Sequence, residues 1–245
     1  MSDALFYLFA LVVMGLSFVL LKRRNRTIAL QHLPKGEADA ARMGWQFEVG
    51  QSALFEIYRW RGTTAGITWV AEALRSGRGR TRGRSATTLV RWYALRPLPV
   101  AGPAAMLVAD RGEDGPVPPR IEGDGAIAKL GARLVASALD KGLDVLFGEE
   151  IGRHVDAGTL EPVADIQGPY PGTSVLAAGA DRASTLFLFQ KLDAPLRSLA
   201  TSTPTLSLLV TPAGLAISAK GWVKDADGLV PIVNAGVALV QAIGD

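Results

Sequence analysis

The chain has 245 residues, 49% of them hydrophobic and 20% charged, which is enough apolar mass for one or two packed domains and too much for a disordered protein. It has no Cys and two His, so a disulfide framework, a thiolate nucleophile, Cys-ligated zinc and an iron–sulfur cluster are excluded. Nine cations lie in two acid-free clusters, Lys22, Arg23, Arg24 and Arg26, then Arg75, Arg78, Arg80, Arg82 and Arg84; the other 17 Lys and Arg face 23 Asp and Glu, the reverse of a nucleic-acid-binding domain.

The mean hydropathy of +0.23 points to a membrane segment or an unusually apolar fold. Ala4 to Leu21 has no charge and spans about 27 Å as a helix, against a hydrocarbon core of about 30 Å. A cleaved signal peptide would carry cations before this stretch and a small-residue site after it; instead Asp3 precedes it and Lys22-Arg23-Arg24 follows. The expectation is therefore an uncleaved transmembrane anchor over residues 1–33. By the positive-inside rule it sits in the inner membrane, N-terminus outside and the rest cytoplasmic. Residues 34–44 read as a linker with a short Ala-rich helix from Gly36, stopped at Gly44.

From Trp45 to 245 the patterning is that of an α+β domain, with sub-halves at 45–142 and 173–245. Trp45, Phe47 and Val49 alternate, and residues 53–61 form a second strand. A turn over Gly62 to Gly66 leads into a third strand, Ile67 to Leu74, with Trp60 and Trp69 assigned to the core. Thr87 to Arg96 and Ala104 to Ala109 complete an antiparallel meander of five strands. Residues 110–120 are loop by composition, and Gly125 to Lys141 is an amphipathic helix ended by Gly142. Residues 143–172 are poorly patterned. A short strand at Ser174 to Ala178 and a helix capped by Asp181 come next. Thr205 to Thr211 and Leu215 to Lys220 then form a hairpin turning at Pro212-Ala213-Gly214, and a closing apolar helix is capped by Asp227. The expected architecture is a largely antiparallel sheet with helices packed on one face.

The run Met43-Gly44-Trp45-Gln46-Phe47, followed by Tyr58-Arg-Trp-Arg-Gly62-Thr-Thr-Ala-Gly66-Ile-Thr-Trp69, resembles an uncharacterised family of bacterial membrane-anchored proteins. A similar echo lies in Leu206 to Trp222 and Leu229 to Ile243. The resemblance covers most of residues 43–243 and rests on Gly and Trp positions of structural type. It implies a single-span protein and transfers no catalytic residues or cofactors.

Candidate chemistry is sparse. Glu149, Glu150, His154 and Asp156 are the one cluster that mixes carboxylates with imidazole, and a helix would place Glu150 and His154 on one face. Gly152 interrupts that spacing, so a solvated polar surface is the simpler reading. Ser174 lacks a nucleophile elbow, no phosphate-binding P-loop is present, and the glycines at 123, 125 and 131 miss the dinucleotide spacing. The Arg-Gly loop from Arg75 to Arg84 suits an anionic lipid surface or an acidic protein better than nucleic acid, because no aromatic residue in it could stack on bases. These readings point away from catalysis. They favour an accessory or scaffolding protein anchored in the bilayer, its cytoplasmic domain docked to a larger membrane complex, with the nine clustered cations as membrane or partner contacts. A membrane-tethered metal-dependent or hydrolytic enzyme and an anionic-lipid-binding module are the alternatives.

Overall fold

A computed structural model describes residues 33–50, 55–76, 88–108, 142–163, 173–177, 182–200, 206–221, 223 and 225–244, with positions 9, 12–17, 19, 20, 23 and 27 of the N-terminal segment. The expected helix at 125–141, the loop at 110–120, the turn at 168–172, the Asp181 cap and most of the Arg-Gly loop lie outside the described residues.

The chain order is α1 (Leu33–Arg42), β1 (Gln46–Gly50), β2 (Phe55–Thr64), β3 (Ile67–Ser76), β4 (Thr88–Ala94), β5 (Ala104–Val108), a helical segment at 142–147, α2 (Glu149–Gly152), a 3-10 turn, β6 (Glu161–Pro162), β7 (Thr173–Ala177), α3 (Arg182–Ala200), β8 (Leu206–Thr211), β9 (Gly214–Lys220) and α4 (Ala226–Gly244). Among the described residues nine strands form one sheet in the order β1-β2-β3-β4-β9-β8-β5-β7-β6, and their pairings are antiparallel. The fold is α+β, as the patterning implies. The five-strand meander is not: β4 pairs with β9, and β5 lies between β8 and β7, so the first four strands are completed by the C-terminal hairpin.

Local chemistry explains the two tight hairpins. β2 runs on to Thr64, and the turn is only Ala65-Gly66, both with positive φ (50° and 76°), as the twist of a two-residue hairpin requires. At Pro212-Ala213 the Thr211 hydroxyl accepts the N–H groups of Ala213 and Gly214 at 3.2 and 3.1 Å, replacing ladder bonds lost in the turn.

Alternation sends Tyr58, Trp60, Trp69, Ala71, Val90, Trp92, Leu208 and Ile217 to one face, where α3 and α4 cover them. α4 begins one residue before Asp227, and the cap belongs to Asp225, whose Oδ1 accepts the Gly228 N–H at 3.1 Å. Asp227 instead pairs with Arg42 of α1 at 2.7 Å, on the surface. Gly236 lets α4 approach the sheet closely, because a Cβ there would fall 2.4 Å from Trp92 Cε3. α4 is long and apolar enough to cross a membrane, yet 56% of its apolar window is buried inside the domain, where it packs as a core helix.

Helices are not confined to one face. Leu143, Phe147 and Ile151 project from the 142–152 segment onto Tyr93, Ala105, Leu107, Leu176, Leu209 and Ala216, forming a second core on the opposite side. Gly142 therefore does not end a helix; it lies within one.

Candidate functional site

The strands carry a charge ladder on the face that also holds the second core. Register aligns Glu48 of β1, Arg59 of β2, Glu72 of β3, Arg91 of β4 and Ser218 of β9 in one row across five strands. Opposite charges directly across neighbouring strands attract. Glu72 is fully buried, and its two oxygens are divided: Oε1 accepts Arg59 Nε at 2.5 Å, and Oε2 accepts Arg91 Nε. Arg59 Nη1 also donates to Glu48 Oε1 at 2.8 Å, and Arg61 Nη2 donates to the same oxygen at 3.0 Å.

Arg91 continues the row into the helical cover. Its Nη1 donates to the carbonyls of Asp144 and Val145 at 2.9 and 3.1 Å, at the C-terminal end of the 142–147 segment, where the Asp144 carbonyl also accepts the Gly148 N–H at 3.0 Å. Gly148 follows with φ of 98°, turning the chain into α2 beside Tyr93 and Arg91. The Tyr93 phenol is pushed far up by burial, then by the charges of Glu72 and Glu150 and a hydrogen bond to Glu150. Burial alone would raise Glu48 and lower Arg59, but the ion pairs win in both: the carboxyl is held below its ordinary range and the guanidinium is held more firmly protonated. With each Glu72 oxygen bound to a guanidinium, the carboxylate is occupied as an acceptor and is not poised as a general base. The ladder is a clamp between sheet and cover.

The 149–156 cluster is taken apart. α2 ends at Gly152, so Glu150 and His154 do not share a helical face. Glu150 is engaged with Tyr93, and Asp156 caps a local turn, its Oδ1 accepting the Gly158 N–H at 2.9 Å. Among the described residues no group of three or more His, Asp or Glu is placed to hold a metal.

Of the nine cations singled out, two are described. Arg23 is on an exposed helical position, and Arg75 lies inside β3 opposite Glu56, in a strand and not in the Arg-Gly loop. Lys22, Arg24, Arg26, Arg78, Arg80, Arg82 and Arg84 lie outside the described residues.

A cavity of about 250 Å³ opens on the other face of the sheet. Its walls are Val100 from the approach to β5, Ala104 at the start of β5, Leu188 and Phe187 of α3, and Ile243 of α4; Ser184, Thr185 and Lys191 are its polar residues. Lys191 Nζ stands 5.4 Å from the centroid of the Phe187 ring. Among the described residues Trp60 Nε1, Trp92 Nε1 and Thr185 Oγ1 are buried without a hydrogen-bond partner; Thr185 also contributes to the cavity wall. Sequence reading missed both the ladder and the cavity.

No family model matches the chain, and no match was found among curated proteins or solved structures.

Proposed function

We propose that this is a single-pass, membrane-anchored accessory protein whose α+β domain is held at the cytoplasmic surface of the inner membrane and docks to a larger membrane complex. One observation carries the membrane part of this reading. Phe9, Val12, Val13, Met14, Leu16, Val19 and Leu20 are helical and 45–68% exposed. At about 100° per residue their side chains extend over more than half of the helix circumference, wider than the stripe of about 100° that a surface helix buries against a domain. An apolar surface of that breadth needs an apolar medium around it. Lys22, Arg23, Arg24 and Arg26 would then lie among the headgroups on the cytoplasmic side.

The resemblance to membrane-anchored bacterial proteins supports the same placement, and the docking role rests on topology and on the sparseness of candidate catalytic groups in the sequence. Alkaline carbonate washing and protease protection of a C-terminally tagged chain test the placement. The expected result is retention in the membrane pellet, with the domain shielded in spheroplasts and cleaved in inverted vesicles. Release by carbonate, or cleavage in intact spheroplasts, would overturn the placement. Native mass analysis after mild detergent extraction tests docking, and a bare monomer as the sole species refutes it.

A further inference from the structure

We infer that the cavity between α3, α4 and the segment leading into β5 binds a small amphiphilic organic carboxylate, its apolar body against Val100, Ala104, Leu188 and Ile243 and its charged end at Lys191. The size limits the class. About 250 Å³ exceeds the roughly 150 Å³ cavity that takes up benzene and falls short of the roughly 300 Å³ where drug-sized pockets begin, so a ring or short chain with a polar end fits.

The polarity of the wall sets the charge. Lys191 supplies the ammonium, and the described lining contains no carboxylate to neutralise it. Phe187 lies beneath the ammonium and keeps one side of it out of water, which favours pairing with an anion over full hydration. Ser184 adds a hydroxyl from the first turn of a 19-residue helix, the end at which exposed N–H groups and the helix dipole favour negative charge. Apolar walls with a few convergent polar groups are the usual composition of a small-molecule site.

The test is calorimetric titration of the full chain in nanodiscs with 4-phenylbutyrate, 4-phenyl-1-butanol and octanoate, each corrected with empty nanodiscs. Saturable binding of at least one carboxylate is expected, at least tenfold tighter for 4-phenylbutyrate or octanoate than for the neutral alcohol. Lys191→Gln should weaken it about tenfold and Ser184→Ala several-fold, with the melting temperature unchanged in both. Tighter octanoate would place the natural ligand among fatty acids, and tighter 4-phenylbutyrate among aromatic acids. No binding of either acid at millimolar concentration, equal binding of the alcohol, or binding indifferent to both substitutions overturns the inference. None of these outcomes depends on which side of the membrane the domain occupies.

Discussion

Replacing Glu72 with Leu should destabilise the domain by about 3–5 kcal/mol, the range found when one member of a buried ion pair is removed. The structure shows where that cost arises. Arg59, 23% exposed in its side chain, loses one partner but keeps Glu48 at 2.8 Å, so its share is small. Arg91, 9% exposed, loses the one carboxylate it pairs with among the described residues and keeps two backbone carbonyls, which do not compensate a buried positive charge. Most of the loss is therefore the penalty of an unpaired Arg91. Removing that cation as well, in Glu72→Leu/Arg91→Leu, should recover part of the stability and leave a deficit of about 1–3 kcal/mol, chiefly the lost Arg91 bond to the Val145 carbonyl, since the Asp144 carbonyl keeps the Gly148 N–H. Urea unfolding of the full chain in mild detergent, followed by the fluorescence of the buried Trp60, Trp69 and Trp92, provides the double-mutant cycle. If Glu72→Leu costs less than about 1 kcal/mol, or if the two single losses simply add in the double variant, the reading of the ladder as a coupled clamp is wrong.

Gly236→Ala should lower stability by about 1–3 kcal/mol despite the better helix propensity of Ala, because the methyl group would sit against the Trp92 ring; a rise in melting temperature would show that α4 can shift away. Gly148→Ala should cost about 1–2 kcal/mol through its φ of 98°, and an unchanged urea midpoint would remove the need for a glycine at that turn. Burial, reinforced by the Glu56 charge, pushes the Tyr58 phenol up to about 12. A group raised in the folded state contributes its full stability below its unfolded pKa of about 10 and loses it as pH climbs through the folded value. Stability should thus fall by about 2 kcal/mol between pH 10 and 12, less steeply in Tyr58→Phe. Identical slopes for the two proteins, read from urea midpoints across that window, would contradict the assignment.

What could be read in the chain was what local periodicity and turn chemistry determine. The alternation of Trp60, Trp69 and their neighbours located β2 and β3, but the turn expected over Gly62 to Gly66 is the shorter Ala65-Gly66, and it is this shorter turn that sets Arg59 opposite Glu72. The pairing of Glu72 with Arg91 could not be read that way, because the long connection between β3 and β4 sets no register. The joining of β4 to β9 depends on residues more than a hundred positions apart. The second core did leave a signal, Leu143, Phe147 and Ile151 at intervals of four, but Gly142 and Gly148 resemble helix breakers and conceal it. The cavity had no local signal at all, since its walls come from residues near 100, 188 and 243.

Composition alone leaves two apolar stretches competing for the bilayer, residues 4–21 and α4. Packing separates them. α4 gives its apolar side chains to a sheet whose Trp92 meets Gly236 directly, so withdrawing it into lipid would strip the larger core of Leu229, Val233, Leu239 and Val240 together. At roughly 1.5–3 kcal/mol for each large side chain re-exposed on the sheet side, that loss approaches the whole stability of an ordinary domain. The charge ladder adds a second obstacle, because a sheet face carrying Glu48, Arg59, Glu72 and Arg91 is costly to place in hydrocarbon. The described apolar positions between 9 and 20 have no comparable attachment: the large ones among them are exposed along the helix. The membrane proposal therefore turns on that first segment. Replacing Val13 and Leu16 with Arg, which α4 would not register, should release the chain from carbonate-washed membranes with its melting temperature unchanged.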